Sequence, residues 1–292
     1  MLLKLIVNRV EVELDLAGVT ETAYQETESL LSDNLGNPKV KNREAIAVAF
    51  LHVLRQCPEA NASDLWHHVV YRLYCEAFRK YRPEDPKQSW VRASGDALER
   101  FVQMWYTPVM EPEGIKITAL LSRDQKRAAL KEMSLEAQVG DSKLDVALYL
   151  TDKDAHQIFG GVHVKASLAE RVSDDVPASR AMMGRGLFSP LWTLDVKSFP
   201  PTKGIARVRD LINRGELGTP DRPSEKRKYI EEHGDFDGCY SANARTVPSS
   251  GGTTSGQRIH VLRLSQQPDD FAAAVIRFSQ RRRGARLLEP DH

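Results

Sequence analysis

The chain has 292 residues, of which 41% are hydrophobic and 28% charged, and its net charge at pH 7 is +1. These values are typical of a globular protein and argue against a basic coat for nucleic acid, although they leave room for a basic cleft. No apolar run reaches the roughly eighteen residues that a membrane helix needs. The three cysteines, Cys57, Cys75 and Cys239, are odd in number, and no two of them stand at the spacing of metal ligands. We therefore expect reduced thiols in a cytoplasmic protein.

Helical periodicity dominates the first 80 or so residues. Apolar side chains recur at helical spacing over residues 41–57 and 61–81. The stretch RPEDPKQS at residues 82–89 is rich in proline and charge, which is typical of a linker. We therefore predict a mainly helical N-terminal domain over residues 1–85 and a second domain over residues 86–292.

The second domain alternates predicted helices and strands. A helix is predicted from residue 94 to Pro108, where proline removes a backbone donor. An amphipathic helix is predicted after residue 122. Apolar runs typical of strands lie at residues 114–122, 142–150, 156–167, 187–201, 236–247 and 257–265. This alternation predicts an α/β fold with a mixed central sheet flanked by helices.

Two of these strands carry charged residues at one end. Asp145 stands near the start of DVALYL, and Lys165 stands near the end of GGVHVKAS, with His163 on the same face as Lys165. If the strands pair as a hairpin, Asp145 and Lys165 lie side by side. The pair is then either a salt bridge or a metal ligand beside a cation that orients a nucleophilic water.

The segment LDVALYL, a variable loop and GGVHVKAS together resemble the central hairpin of the PD-(D/E)xK nucleases. Upstream, SGDALERFVQMWYTPVM resembles the acidic helix that precedes the first core strand in many restriction enzymes. Downstream, KASLAERVSDDVPASRAMM and HGDFDGCYSANART resemble type II restriction endonucleases of the CCGG-recognising group, and BsaWI-type enzymes most closely. The likeness covers roughly residues 90–265. It implies a restriction-endonuclease-like core that hydrolyses double-stranded DNA at a short palindromic site by metal-activated water.

The resemblance also implies roles for individual residues. Asp145 and Glu99 would ligate Mg²⁺, for which Mn²⁺ could substitute, and Lys165 would orient the attacking water. The usual acid two residues before the lysine is replaced by His163. Several CCGG-group enzymes use a glutamate thirteen or fourteen residues after the lysine instead, but here Ala178 and Ser179 occupy those positions. Besides Glu99, the candidate substitutes for the missing acid are His163, Glu170 and Asp175.

The segment after Lys165 resembles the cluster with which CCGG-group enzymes contact guanine and cytosine edges. Arginine can donate twice to guanine, and aspartate can accept from cytosine. The predicted base-reading residues are Arg171, Asp174, Asp175 and Arg180. An alternative is an ordinary helix start, with Asp175 as N-cap and Pro177 in the first helical position.

A palindromic site read symmetrically requires two matching subunits, so we expect a homodimer or a larger homo-oligomer bound to double-stranded DNA. The N-terminal region would supply the dimer surface, flanking DNA contacts, or both. Two rival functions remain open at this point. One is a structure-selective or repair nuclease of the same fold. The other is a non-catalytic DNA-binding protein in which Asp145 and Lys165 form only a salt bridge.

Overall fold

The computed structural model describes residues 1–152, 155–169 and 171–286. Its strands are Leu2–Val7 (β1), Val10–Asp15 (β2), Ile115–Ala119 (β3), Val146–Asp152 (β4), Ala155–Lys165 (β5), Leu191–Thr193 (β6), Gly218–Thr219 (β7), Arg222–Pro223 (β8), Cys239–Ser241 (β9) and Ile259–Val261 (β10). Its α-helices are Glu21–Gly36 (α1), Asn42–Gln56 (α2), Ala62–Asp64 (α3), Tyr71–Tyr81 (α4), Pro86–Met110 (α5), Arg123–Glu132 (α6), Arg171–Gly184 (α7), Val208–Leu211 (α8), Glu225–Glu231 (α9) and Asp270–Arg286 (α10). A π-helical segment, Leu65–Val70, joins α3 to α4. Within the described ranges, none of the helices combines the length and apolar character that a membrane crossing requires.

Six strands form the central sheet in the order β10-β9-β6-β5-β4-β3. The strands β3, β4 and β5 pair antiparallel, whereas β5, β6, β9 and β10 pair parallel. The prediction of a mixed sheet in an α/β fold is therefore confirmed. Val146 lies opposite Val162 in the β4–β5 hairpin, and this register brings the start of β4 next to the end of β5.

Two glycines in β5 allow other segments to approach this strand closely. A Cβ atom on Gly160 would lie 2.6 Å from the carbonyl oxygen of Phe188, and one on Gly161 would lie 2.2 Å from a methyl carbon of Leu144. At Gly160 the close atom belongs to the backbone, so a larger residue would push β5 away from the Phe188 segment, whereas at Gly161 the ends of the Leu144 and Met182 side chains would have to shift. These glycines therefore help to fix the end of β5 that carries Lys165.

One cluster of buried side chains extends from the N-terminal helices to the central sheet. Phe101 on α5 lies at its centre, with its ring 4.4 Å from that of Phe50 on α2 and 6.2 Å from that of Trp192 on β6. Helix α5 packs against α2 on one side and against β3 on the other. This helix therefore connects the predicted N-terminal domain to the sheet, and it carries Glu99.

The linker interpretation of residues 82–89 is wrong in its second half, because α5 begins at Pro86. The side chain of Asp85 accepts a hydrogen bond from the backbone N–H of Lys87, and Pro86 occupies the first turn, where no intrahelical donor is lost. Pro108 lies within α5 and does not end it. The buried side chains Tyr106 and Met110 favour continuing the helix past the proline.

Two further boundaries differ from those predicted. The mainly helical N-terminal region begins with an antiparallel hairpin in which the buried residues Leu3 and Leu14 face each other. Helix α7 begins at Arg171, so Asp175 is not an N-cap and Pro177 lies inside the helix. The earlier start buries Val172 and Val176 against the sheet residue Leu191 and its neighbours. The helix ends at Gly184.

Candidate active site

Asp145 immediately precedes β4 and lies buried beside the end of β5. Its Oδ2 atom accepts hydrogen bonds from the backbone N–H of Val164 at 2.8 Å and from Nζ of Lys165 at 2.6 Å. The predicted proximity of Asp145 and Lys165 is thus confirmed. The backbone hydrogen bond matters because it fixes the carboxylate independently of the lysine.

Lys165 lies between two carboxylates. Its Nζ atom is 2.9 Å from Oδ2 of Asp175 on α7, in addition to its contact with Asp145. Burial opposes the charged ammonium, but these two carboxylates outweigh it and raise the pKa of Lys165. The two carboxylates therefore favour the charged form of the lysine.

His163 occupies the position where the nuclease motif usually has an acid. Its Nδ1 atom is 3.6 Å from Oδ2 of Asp175, and its Nε2 atom lies 3.1 Å from the hydroxyl of Ser189. Burial alone would raise the pKa of Asp175, but His163 and Lys165 outweigh that effect and lower it. An ionised carboxylate from α7 thus lies beside the lysine, although the sequence position two before Lys165 is not acidic.

Glu99 on α5 faces Asp145 across a lysine that the sequence did not single out. Nζ of Lys126, on α6, is 3.9 Å from Oε1 of Glu99 and 3.7 Å from Oδ1 of Asp145. Glu99 is only 6% exposed, and its Oε2 atom has no hydrogen-bond partner among the described residues. Burial, reinforced by the neighbouring Asp145 carboxylate, raises the pKa of Glu99 to about 9.

These side chains open into one cleft of about 750 Å³. Asp145 and Lys165 line it from the sheet, and Glu99 and Trp90 line it from α5. Trp66, in the π-helical segment of the predicted N-terminal domain, lines it as well. The cleft therefore lies between the two predicted domains, and both contribute to its walls.

The carboxylates fit a hydrated Mg²⁺ or Mn²⁺ ion. No three His, Cys, Asp or Glu side chains in residues 1–152, 155–169 and 171–286 converge as a complete metal cage. Mg²⁺ prefers oxygen ligands and keeps several waters, so one or two protein carboxylates are sufficient. The unpartnered, buried Oε2 atom of Glu99 and the nearby Asp145 carboxylate supply such a pair.

The predicted base-reading residues separate into different environments. Asp174 is exposed, and its Oδ2 atom lies 3.6 Å from Nζ of Lys143. Arg180 is 62% exposed and binds the buried Asp235, with Nε 2.5 Å from Oδ1. Asp175 is buried beside Lys165, an environment that favours its predicted role as a substitute acid over base reading. Glu170 and the side chain of Arg171 lie outside the described residues.

Sequence reasoning missed Lys126 and Lys143, which approach the carboxylate cluster from outside the motif. Both follow the helix of Glu99 in the chain. Lys126 belongs to the predicted amphipathic helix and Lys143 to the predicted strand run 142–150, but neither pattern marked these lysines as part of the site. Ala178 and Ser179, at the positions where several CCGG-group enzymes have a glutamate, are buried in the core and add no charge to the cluster.

Comparisons with known proteins agree with this geometry. The family model described as BsaWI restriction endonuclease type 2 matches residues 122–268. The chain is 50% identical over 267 residues to the type II restriction enzyme AgeI of Thalassovita gelatinovora, covering 89% of this chain and 93% of that protein. It also matches the crystal structure of a specific AgeI–DNA complex with a TM-score of 0.87 and 47% identity, covering 95% of this chain and 99% of the other.

The fold is therefore that of a type II restriction endonuclease. The chain belongs to the BsaWI restriction endonuclease type 2 family. The predicted resemblance to BsaWI-type type II restriction endonucleases is confirmed, and recognition of a CCGG core stays a prediction.

Proposed function

We propose that this protein is a Mg²⁺-dependent endonuclease that hydrolyses both strands of DNA at a short palindromic site with a CCGG core. The observation that carries the proposal is the 2.6 Å contact between Asp145 and Lys165 at adjoining strand ends, with Glu99 facing Asp145 in the same cleft. The similar AgeI structure is a complex with DNA, which supports double-stranded DNA as the substrate class.

Asp145 and Glu99 are the residues that would hold the metal ion. A divalent ion bound there polarises the phosphate and lowers the pKa of its bound water. The backbone N–H of Val164 fixes the Asp145 carboxylate. Asp145 is therefore already oriented before DNA binds. Glu99 comes from α5, a different element, and a bound divalent ion would compensate the negative charge of its buried carboxylate.

Lys165 would orient the attacking water and stabilise the negative charge that develops on the phosphate. Asp175 keeps this ammonium charged and directed into the cleft, since its Oδ2 atom lies 2.9 Å from Nζ. We assign to Asp175 the acidic function that His163 cannot provide two residues before the lysine. His163 in turn supports Asp175 from the core side.

Recognition of the DNA sequence would depend on α7 and the segment before it. Arg180 is exposed, and its guanidinium can donate twice to O6 and N7 of guanine after exchanging its contact with Asp235. Asp174 is also exposed and can accept from N4 of cytosine. Arg171 at the start of α7 is the third proposed base-reading residue. These chemistries match a site made of guanine and cytosine.

A palindrome presents the same edges twice, so two copies of the chain would act as a homodimer on one site. The N-terminal helices line the cleft opposite the sheet, as flanking DNA contacts would require.

Digestion of a sequenced plasmid in Mg²⁺ tests the function. We expect discrete fragments whose ends map to one palindromic sequence, and no cleavage by Lys165→Ala with DNA affinity retained. Lys116→Ala is the matched control, because Lys116 is exposed on β3. A smear of fragments would instead indicate a structure-selective or repair nuclease. Normal DNA affinity without cleavage in Mg²⁺ or Mn²⁺ would indicate a non-catalytic DNA-binding protein.

A further inference from the structure

The ammonium group of Lys126 lies between the two carboxylates assigned to the metal ion. It is 3.7 Å from Oδ1 of Asp145 and 3.9 Å from Oε1 of Glu99. Lys126 comes from α6, outside the motif that supplies Asp145 and Lys165, and its side chain is only 17% exposed. Without this group, an ionised Glu99 would face the buried Asp145 carboxylate with no cation between them, which is strongly unfavourable.

We propose that Lys126 is a resident counter-cation that a divalent ion must displace in order to bind. This inference rests on the proposed function, since it concerns the same carboxylates. The ammonium and the metal ion compete for Oδ1 of Asp145 and for the carboxylate of Glu99. Because like charges within a few ångströms repel strongly in a buried site, both cations do not occupy this position together. Lys126 therefore weakens metal binding and holds the carboxylates together when the ion is absent.

The structure also provides a place for the displaced side chain. Lys126 lines a second hollow of about 400 Å³ that adjoins the cleft. The walls of this hollow include Asp96 and Asp141, whose carboxylates are partly exposed. Asp96 is already paired with Arg43, and Asp141 with Arg123 and Arg127, so the hollow offers the ammonium space and partial hydration and no free carboxylate. Rotation of the flexible lysine stem would move the ammonium into this hollow. The displacement thus requires no movement of α6 itself.

Lys126 is a positioning residue in this account, so its test measures metal affinity and not only cleavage. Isothermal titration with MnCl₂ in the absence of DNA compares the wild type with Lys126→Met and Lys126→Arg. We expect Lys126→Met to bind Mn²⁺ at least about tenfold more tightly. Lys126→Arg retains the charge and is expected to bind with wild-type or weaker affinity. Lys131→Met, on an exposed position of the same helix, is the matched control with wild-type affinity.

Thermal unfolding gives a second readout, and Lys126→Gln gives a second neutral variant if methionine impairs folding. Mn²⁺ is expected to raise the melting temperature of either neutral variant by more than it raises that of the wild type. Unchanged or weaker Mn²⁺ affinity in both neutral variants, or no Mn²⁺ binding by them, would overturn the proposal. If the proposed function is wrong, the wild type does not cleave plasmid DNA, whereas a failure of this proposal appears only in the Mn²⁺ affinities of the variants.

Discussion

Replacing Lys165 by methionine tests the electrostatic organisation of the site without DNA or metal. The change removes one positive charge from between Asp145 and Asp175, whose Oδ2 atoms lie 2.6 and 2.9 Å from Nζ. Methionine retains most of the aliphatic stem, so little packing is lost. The two carboxylates are buried and would be left facing each other without the ammonium.

Removing one partner of a buried ion pair typically costs about 3–5 kcal/mol. Lys126 remains 3.7 Å from Asp145, and Lys143 remains 4.0 Å from Asp175, so part of the negative charge stays compensated. We therefore expect the lower end of this range, about 3 kcal/mol of unfolding free energy. The difference depends on ionised Asp175, whose lowered pKa stabilises the fold above the ordinary carboxyl range. The difference should therefore begin to shrink as the pH reaches that range from above, and it should be lost as the pH falls further, through the lowered pKa of Asp175.

The assay is urea unfolding followed by tryptophan fluorescence, at pH 8 in EDTA and again near pH 4. Lys116→Met serves as the control for loss of a positive charge from an exposed strand position. If Lys165→Met unfolds at pH 8 within about 0.5 kcal/mol of the wild type, the range of an ordinary surface substitution, then the ion-pair reasoning is refuted.

Three further changes test other parts of the account. Burial keeps Glu99 protonated up to about pH 9, whereas the unfolded chain ionises this residue near pH 4.5. Metal-free Glu99→Gln should therefore gain stability relative to the wild type as the pH rises from 6 to 9, and a pH-independent difference in urea unfolding would contradict this. Gly160→Ala should cost about 1–3 kcal/mol, because its Cβ would lie 2.6 Å from a backbone oxygen, and an unchanged unfolding midpoint would be inconsistent with this close packing. Arg180→Ala should relax discrimination at one base pair by about 1–3 kcal/mol in cleavage of variant sites, whereas exposed Arg185→Ala should not; equal discrimination by both would exclude Arg180 as a base reader.

The central hairpin was predictable because its signals are local. Alternating apolar residues defined β4 and β5, and antiparallel pairing then placed Asp145 beside Lys165 with no need for further information. The helix of Glu99 was also predictable from its apolar periodicity. Its start was not, since the proline-rich segment before it is equally typical of a linker and of a capped first helical turn.

The rest of the site depends on how distant helices pack, which periodicity does not specify. Lys126 reaches the carboxylates only because α6 packs beside the start of β4. Asp175 faces Lys165 only because α7 begins at Arg171, several residues before the Asp175 start that the sequence suggested. A shift of that boundary changes which side chains face the core. The resemblance to CCGG-group enzymes therefore indicated that a substitute acid was needed, while packing selects Asp175 as the best-placed candidate.

Single-turnover cleavage of a DNA duplex by Asp145→Asn tests the central claim most directly. Asparagine keeps the acceptor for the backbone N–H of Val164 but removes the charge that would hold a metal ion. With Mg²⁺ and enzyme in excess, we predict a loss of about a thousandfold in rate, equivalent to about 4 kcal/mol, with DNA affinity preserved. Asp33→Asn, which loses an exposed carboxylate on α1 away from the cleft, should cleave at the wild-type rate. Wild-type cleavage by Asp145→Asn would contradict the account.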